Sequence, residues 1–165
     1  MEYSVTFDKL PETLAELQSL PEAKRTEPQS AAALTIAALC RFPADRDECF
    51  RMLDWLRGPR PLSNMDKQFI RDRFMDGKDY LPRSYFAGAK PDNDYQPALP
   101  LTLIFRDRAN QPEEKDYRIL EIFSGGADSP RTVTLRQKPS TGEWFLWEQM
   151  LLAGIRIPVS QDEWA

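Results

Sequence analysis

The sequence contains no histidine among its 165 residues, and this absence excludes several common kinds of site. Histidine is the one side chain whose unperturbed pKa lies near neutrality. Without it, the chain has no Ser-His-Asp or Cys-His nucleophile arrangement and no imidazole ligand for a metal or a haem. We therefore expect no metal site and no cofactor, and no motif assigns a catalytic residue.

Cysteine is also scarce: Cys40 and Cys49 are the only two, and neither belongs to a CxxC pair. Two thiolates leave a zinc ion short of the four ligands that a structural site needs. The pattern favours two buried thiols on neighbouring helices. A disulfide between them is the alternative, and it requires Cα atoms within about 7 Å of each other.

Long apolar runs and clusters of one charge sign are missing as well. No stretch of about 18 apolar residues occurs, and residues 1–9 lack the features of a signal peptide, so we expect a cytoplasmic protein. Twenty-six acidic residues face 22 basic ones, and neither half of the chain is a basic arm. Phosphate neutralisation needs a clustered basic surface, so nucleic acid is not an expected partner. Without a long apolar run, a membrane is not an expected partner either.

The first half of the chain has helical periodicity, divided by prolines, which outnumber glycines 14 to 7. Leucines at helical spacing predict a short helix near residues 10–17. An alanine-rich run that is apolar nearly all round predicts a central buried helix over 29–41. An apolar stripe predicts a third helix over 44–57, and a fourth begins at Ser63, with Asp66 placed for a capping box.

From Pro100 the apolar period becomes two, which predicts strands within 101–106, 117–123, 132–136 and 144–148. The predicted fold class is α+β, with N-terminal helices packed on a C-terminal four-stranded antiparallel β-meander. A single domain would then comprise a helical part (1–77), a long loop (78–99), a β part (100–150) and a tail (151–165).

The last strand places aromatic side chains on both faces of the sheet. Alternation sends Trp144 and Leu146 to one face and Phe145 and Trp147 to the other. Either the tail covers the second face, or a tryptophan stays exposed there, as interaction surfaces favour. The sequence leaves these two alternatives equal.

Two loops are the best candidates for a recognition surface. The connection 124–131 contains two glycines and Asp128, with Arg131 and Arg136 to supply positive charge. It leads into a strand and not into a helix, so a self-bonded turn is the alternative to an anion site. Joined to the aromatic-rich loop 80–95, it would form one surface. The residues that we expect to contact a ligand or partner are Arg83, Tyr85, Asp128, Arg131, Arg136 and Trp147.

The most basic stretch covers residues 57–83, where seven basic residues face four acidic ones. Such an excess suits an acidic partner or a phosphate ligand. The alternative is a solvated helix whose charges pair along its own surface, and helical charge runs favour that interpretation.

Together these features favour a non-catalytic cytoplasmic binding or protein-interaction domain, whose partner is a protein or a small anionic ligand. A hydrolase with a carboxylate pair is the first alternative, because Glu121, Asp128 and Glu148 lie on or beside predicted strands. A structural subunit of a larger assembly is the second, and it predicts a stable oligomer with a large exposed apolar patch.

Five segments together carry a resemblance to a known family: 56–63, 68–74, 80–86, 125–131 and 144–148. The chain resembles a family of small uncharacterised bacterial proteins, a domain of unknown function found mostly in anaerobic gut bacteria. The resemblance spans most of the sequence. It implies no activity, cofactor or catalytic residue.

Overall fold

Four helices and five strands form the body of the protein in a computed structural model that describes residues 1–165. The helices are α1 Leu14–Ser19, α2 Pro28–Cys40, α3 Arg46–Arg57 and α4 Asn64–Phe74. The strands are β1 Glu2–Phe7, β2 Leu101–Asp107, β3 Tyr117–Ile122, β4 Arg131–Gln137 and β5 Trp144–Gln149. Short 3-10 turns occur at Pro21–Lys24, Pro82–Tyr85, Pro91–Asn93 and Val159–Gln161.

The strands form one antiparallel sheet in the order β1-β2-β3-β4-β5. The α+β class is confirmed, but the predicted count of four strands is wrong, because β1 adds a fifth and precedes all the helices. β1 pairs with β2 from Glu2 opposite Arg106 to Phe7 opposite Leu101. Val5 and Phe7 point into the core and Tyr3 is half-buried, while Ser4 and Thr6 face solvent. This period-two pattern is as long as β3 and β5, yet it was not predicted as a strand.

Helix α2 forms the centre of the core. Every residue from Ala31 to Leu39 is buried, because α2 packs against α3 on one side and against the sheet on the other. The alanines on this helix let its neighbours approach closely. The prediction of a central buried helix is therefore confirmed, and the helices lie on one face of the sheet.

Side-chain caps stand at the start of α3 and at the start of α4, and a glycine stands at the end of α3. The Asp45 carboxylate caps α3 by accepting a hydrogen bond from the Glu48 amide at 3.1 Å. Gly58 ends α3 with a φ of 62°, a conformation that favours glycine. At α4, the Ser63 hydroxyl accepts from the Asp66 amide at 3.0 Å, and the Asp66 carboxylate accepts from the Ser63 amide at 2.9 Å.

This capping box gives a prediction for stability. Ser63→Ala should lower the free energy of unfolding by about 1 kcal/mol, because it leaves an amide of the first helical turn without its partner. Urea denaturation measures the difference. Ser140→Ala, in the exposed turn before β5, is the control and should change the value by less than about 0.5 kcal/mol. Equal losses in the two variants would contradict the stabilising role of the box.

The segments without regular structure complete the core on the helix side of the sheet. Tyr85 and Tyr95 from the long loop are buried, and so are Leu151, Leu152 and Ile155 from the tail, in one cluster with α2. The tail therefore does not cover the opposite face of the sheet, and Phe145 and Trp147 are half-buried there.

Cys40 and Cys49 are both free thiols. Cys40 is half-buried and Cys49 is buried, and burial raises the pKa of Cys40 to about 12.

No helix combines the length and the apolar character that crossing a bilayer requires.

Candidate functional site

The open face of the sheet carries arginines packed on aromatic rings. At one end, the Arg60 guanidinium carbon lies 3.7 Å from the centre of the Trp147 ring, and that of Arg136 lies 4.8 Å from it. Arg136 also lies 5.1 Å from the Tyr117 ring, which meets Trp147 edge-on at 5.4 Å. We call these four residues (Arg60, Tyr117, Arg136 and Trp147) the Trp147 cluster.

Strand register brings three members of the cluster together. Tyr117 on β3 lies directly opposite Arg136 on β4. On β5, Leu146 pairs with Leu135 and Glu148 pairs with Thr134, so Trp147 is the extra residue of an irregularity. A β-bulge of this kind redirects a side chain. Here it accompanies a tryptophan ring placed beside an arginine of the neighbouring strand.

The fourth member, Arg60, comes from the turn between α3 and α4. A Cβ at Gly58 would lie 2.5 Å from the Phe145 ring, so only glycine lets the turn approach β5 so closely. The Asp54 carboxylate accepts from the Leu62 amide at 2.8 Å, and Arg57 donates to the Arg60 carbonyl at 2.9 Å. These bonds fix the turn, and Arg60 in turn donates to the main-chain carbonyl of Trp147.

The cluster carries the positive charges of two arginines. Neither Arg60 nor Arg136 forms a salt bridge, and both are exposed. Arg57, just behind Arg60, pairs with Asp66 at 3.6 Å. Burial, and then repulsion from Arg60, lowers the pKa of Arg57. Two unpaired guanidiniums beside a partly exposed indole form a surface suited to an anion.

Two grooves meet at the Trp147 cluster and share Arg57, Arg60, Leu146 and Trp147 as walls. The first, which we call the basic groove, has a volume of about 410 Å³. Its further lining includes Arg136, Lys138 and Phe145. The second, which we call the apolar groove, has a volume of about 620 Å³. Its apolar lining includes Leu53, Phe69, Ile70, Met150 and Leu152, and the charged residues Asp66, Arg73 and Glu148 line it as well.

The structure also brings together the two loops that the sequence singled out. The Gly125 amide donates to the Ser84 carbonyl at 2.9 Å, and the hydroxyls of Ser84 and Ser124 are 2.7 Å apart. The loop 124–131 therefore packs directly on the loop 80–95. Ser84 and Ser124 are both buried at this junction, whereas Gly125 is exposed.

The charged side chains at this junction bind mainly main-chain carbonyls. Arg83 donates to the carbonyls of Tyr95 at 2.9 Å and Asp94 at 3.0 Å. Arg131 donates to the Ala153 carbonyl at 2.9 Å and to the Gly154 carbonyl at 3.0 Å, which holds the tail in place.

The other two predicted loop residues differ in exposure. Tyr85 is 3% exposed, its hydroxyl donates to the Leu151 carbonyl at 2.5 Å, and burial raises its pKa. Asp128 is exposed and pairs only with Arg156, at 3.2 Å. Because Arg83, Tyr85 and Arg131 hold the fold together, we locate the candidate site at the Trp147 cluster.

The three carboxylates considered for a hydrolase do not share one place. Glu121 lies on β3 and pairs with Arg106 at 2.9 Å. Asp128 belongs to the loop before β4, and Glu148 is exposed on β5 at the rim of the apolar groove. Each therefore has a different environment.

Sequence reasoning named Arg136 and Trp147, and the structure places them in contact. It passed over Tyr117 and treated Arg60 as one charge in a basic helical stretch. Alternation alone places Tyr117 and Trp147 on the same face of the sheet, so that signal was present in the strand pattern. Nothing local links Arg60 to β5, because 87 residues separate it from Trp147.

Comparison with known proteins adds a family but no activity. No curated protein and no solved structure matches the chain. A family model described as Domain of unknown function (DUF6935) matches residues 9–159, which include the whole Trp147 cluster and both grooves. The resemblance to a family of unknown function is thus confirmed, and the chain belongs to the domain family DUF6935.

Proposed function

We propose that this protein is a non-catalytic binding domain, and that the Trp147 cluster receives a carboxylate or phosphate group of a protein partner or a small ligand. One observation carries the proposal: Arg60 and Arg136 lie against one partly exposed indole ring without a carboxylate partner. Guanidinium groups match carboxylate and phosphate geometry, and they bind either group through paired hydrogen bonds.

The rigidity of the surroundings supports this proposal. The turn that carries Arg60 is fixed by Asp54 and Arg57, and Arg136 lies on β4 opposite Tyr117. Side chains held in place before binding lose less conformational entropy when a ligand arrives. A cytoplasmic location is part of the proposal, and two free thiols agree with a reducing compartment.

A titration with simple anions tests the proposal. Hexaglutamate and inorganic pyrophosphate are added separately to ¹⁵N-labelled protein, and the indole N–H resonance of Trp147, assigned with Trp147→Phe, is followed by NMR. We expect a saturable shift of this resonance with at least one of the two anions. The double variant Arg60→Gln/Arg136→Gln should bind at least about tenfold more weakly, because charge-assisted hydrogen bonds are lost.

A variant with the same net charge serves as the control. Arg46→Gln/Arg108→Gln removes two exposed arginines elsewhere on the surface, and it should bind within about twofold of the unaltered protein. Equal weakening in the two double variants would show that only overall charge matters. That result, or the absence of a saturable shift with both anions, would contradict the proposed site.

A further inference from the structure

The basic groove and the apolar groove meet at the Trp147 cluster, and they differ in their balance of charge. Four basic side chains face one carboxylate in the basic groove, whereas three arginines face two carboxylates in the apolar groove. Building on the proposed function, we infer that the occupant is an extended segment of a protein partner in which acidic residues adjoin large apolar residues. Its acidic part lies in the basic groove, and its apolar part lies in the apolar groove.

The charged side chains of the basic groove determine where the acidic residues of the partner bind. Arg57, Arg60, Arg136 and Lys138 line the basic groove against a single carboxylate, that of Asp116. This local excess of positive charge stands out in a chain whose net charge is −4. Complementary charge therefore favours carboxylates here, and the binding should weaken as salt screens the interaction.

The exposed apolar side chains of the apolar groove determine where the apolar residues of the partner bind. Phe69 is 47% exposed and Met150 is 56% exposed, and between them the groove floor includes the buried residues Ile70 and Leu152. A phenylalanine and a methionine left open to water beside a buried apolar floor gain stability when a leucine or an aromatic ring covers them. Methionine also adapts its shape to different apolar partners.

The same grooves disfavour nucleic acid as the occupant. Asp66 and Glu148 line the apolar groove, and Asp116 lines the basic one. These carboxylates interrupt any track of positive charge that a phosphate backbone would need along its length. A peptide that alternates between acidic and apolar parts meets no such barrier, because only its acidic part needs the arginines.

Fluorescence anisotropy with defined peptides tests the inference on the full chain. The labelled probes are hexaglutamate, a hexapeptide of three leucines followed by three glutamates, and the same residues in reverse order. We expect one of the two mixed peptides to bind at least about tenfold more tightly than hexaglutamate, because leucine side chains are buried against the apolar groove. Replacing the glutamates by lysines should abolish the binding.

A matched pair of variants separates the apolar groove from exposed aromatics in general. Phe69→Ser should remove the advantage of the mixed peptide while leaving hexaglutamate binding within about twofold. Phe123→Ser is the control, because Phe123 is 49% exposed and also packs against an arginine. The centre of its ring lies 4.7 Å from the guanidinium carbon of Arg106, and the centre of the Phe69 ring lies 4.9 Å from that of Arg73. It should leave both peptides unaffected.

Each contrary outcome has a distinct meaning. Hexaglutamate binding that equals the binding of both mixed peptides, or a mixed peptide insensitive to Phe69→Ser, overturns the inference while the anion site of the proposed function survives. Tighter binding of a labelled thymidine octamer than of any peptide would identify nucleic acid as the occupant. Concentration-dependent dimerisation that Phe69→Ser abolishes would identify a second copy of the chain. Failure of every peptide together with a negative anion titration would overturn the proposed function as well.

Discussion

Gly125→Ala should destabilise the protein by at least about 3 kcal/mol, because a side chain at this position meets rigid backbone. An ideal Cβ on Gly125 would lie 1.8 Å from the Ala89 carbonyl oxygen and 3.0 Å from its carbon. Ala89 is buried, and the Gly125 amide already donates to the Ser84 carbonyl at 2.9 Å. The two loops must therefore separate to admit even one methyl group. Urea denaturation of both proteins gives the difference.

Gly142→Ala is the matched control for this substitution. Gly142 has a φ of 78°, yet a Cβ there would meet nothing within 4 Å. Its loss of stability should reflect backbone strain alone and amount to about 1 kcal/mol. Equal losses of stability in the two variants would show that the loops 80–95 and 124–131 can separate without lowering the free energy of unfolding, and this would contradict the prediction.

Arg25→Ala should lower the free energy of unfolding by about 3 kcal/mol, because Arg25 joins α3 to β5 from a buried position. Arg25 is 5% exposed, and its guanidinium lies 3.9 Å from the Trp55 ring and 4.4 Å from the Phe145 ring. It donates to the Trp55 carbonyl at 3.3 Å and to the Glu143 carboxylate at 3.1 Å. Thermal and urea denaturation both report the loss.

Two further variants show which property of Arg25 matters. Arg25→Lys keeps the charge but loses the planar group that stacks between two rings, so it should recover less than half of the loss. Arg108→Ala removes an exposed arginine and should change stability by less than about 0.5 kcal/mol. A full recovery with lysine would contradict the importance of stacking.

The elements that the sequence predicted are those whose signal is local. The alanine-rich pattern of α2 and the period-two pattern of β2 to β5 both lie within one segment. β1 was missed although its residues alternate in the same way, and only its pairing with β2, about a hundred residues further along the chain, is absent from the local pattern. Leu151, Leu152 and Ile155 were assigned to a tail, since residues that enter a core without regular structure have no period.

The candidate site was predictable only in part, for two physical reasons. Trp147 and Arg136 were selected from their residue types, but their contact depends on the pairing register of β4 with β5, which alternation within one strand does not reveal. Arg83, Tyr85 and Arg131 have the same residue types, yet their donors bind main-chain carbonyls of the long loop and the tail and hold these segments in place. Since every residue carries such a carbonyl, no sequence pattern shows which donors are occupied inside the fold.

The pairing of the first strand with the second also sets an order of events during biosynthesis. Glu2 can pair with Arg106 only after 104 further residues have been synthesised, and this synthesis takes about 5 to 20 seconds at the usual pace of translation. All four helices are synthesised within that interval, while Val5 and Phe7 have no sheet to enter. A nascent chain stalled before residue 101 should therefore expose its first residues to proteases and chaperones, and completion of β2 should protect them.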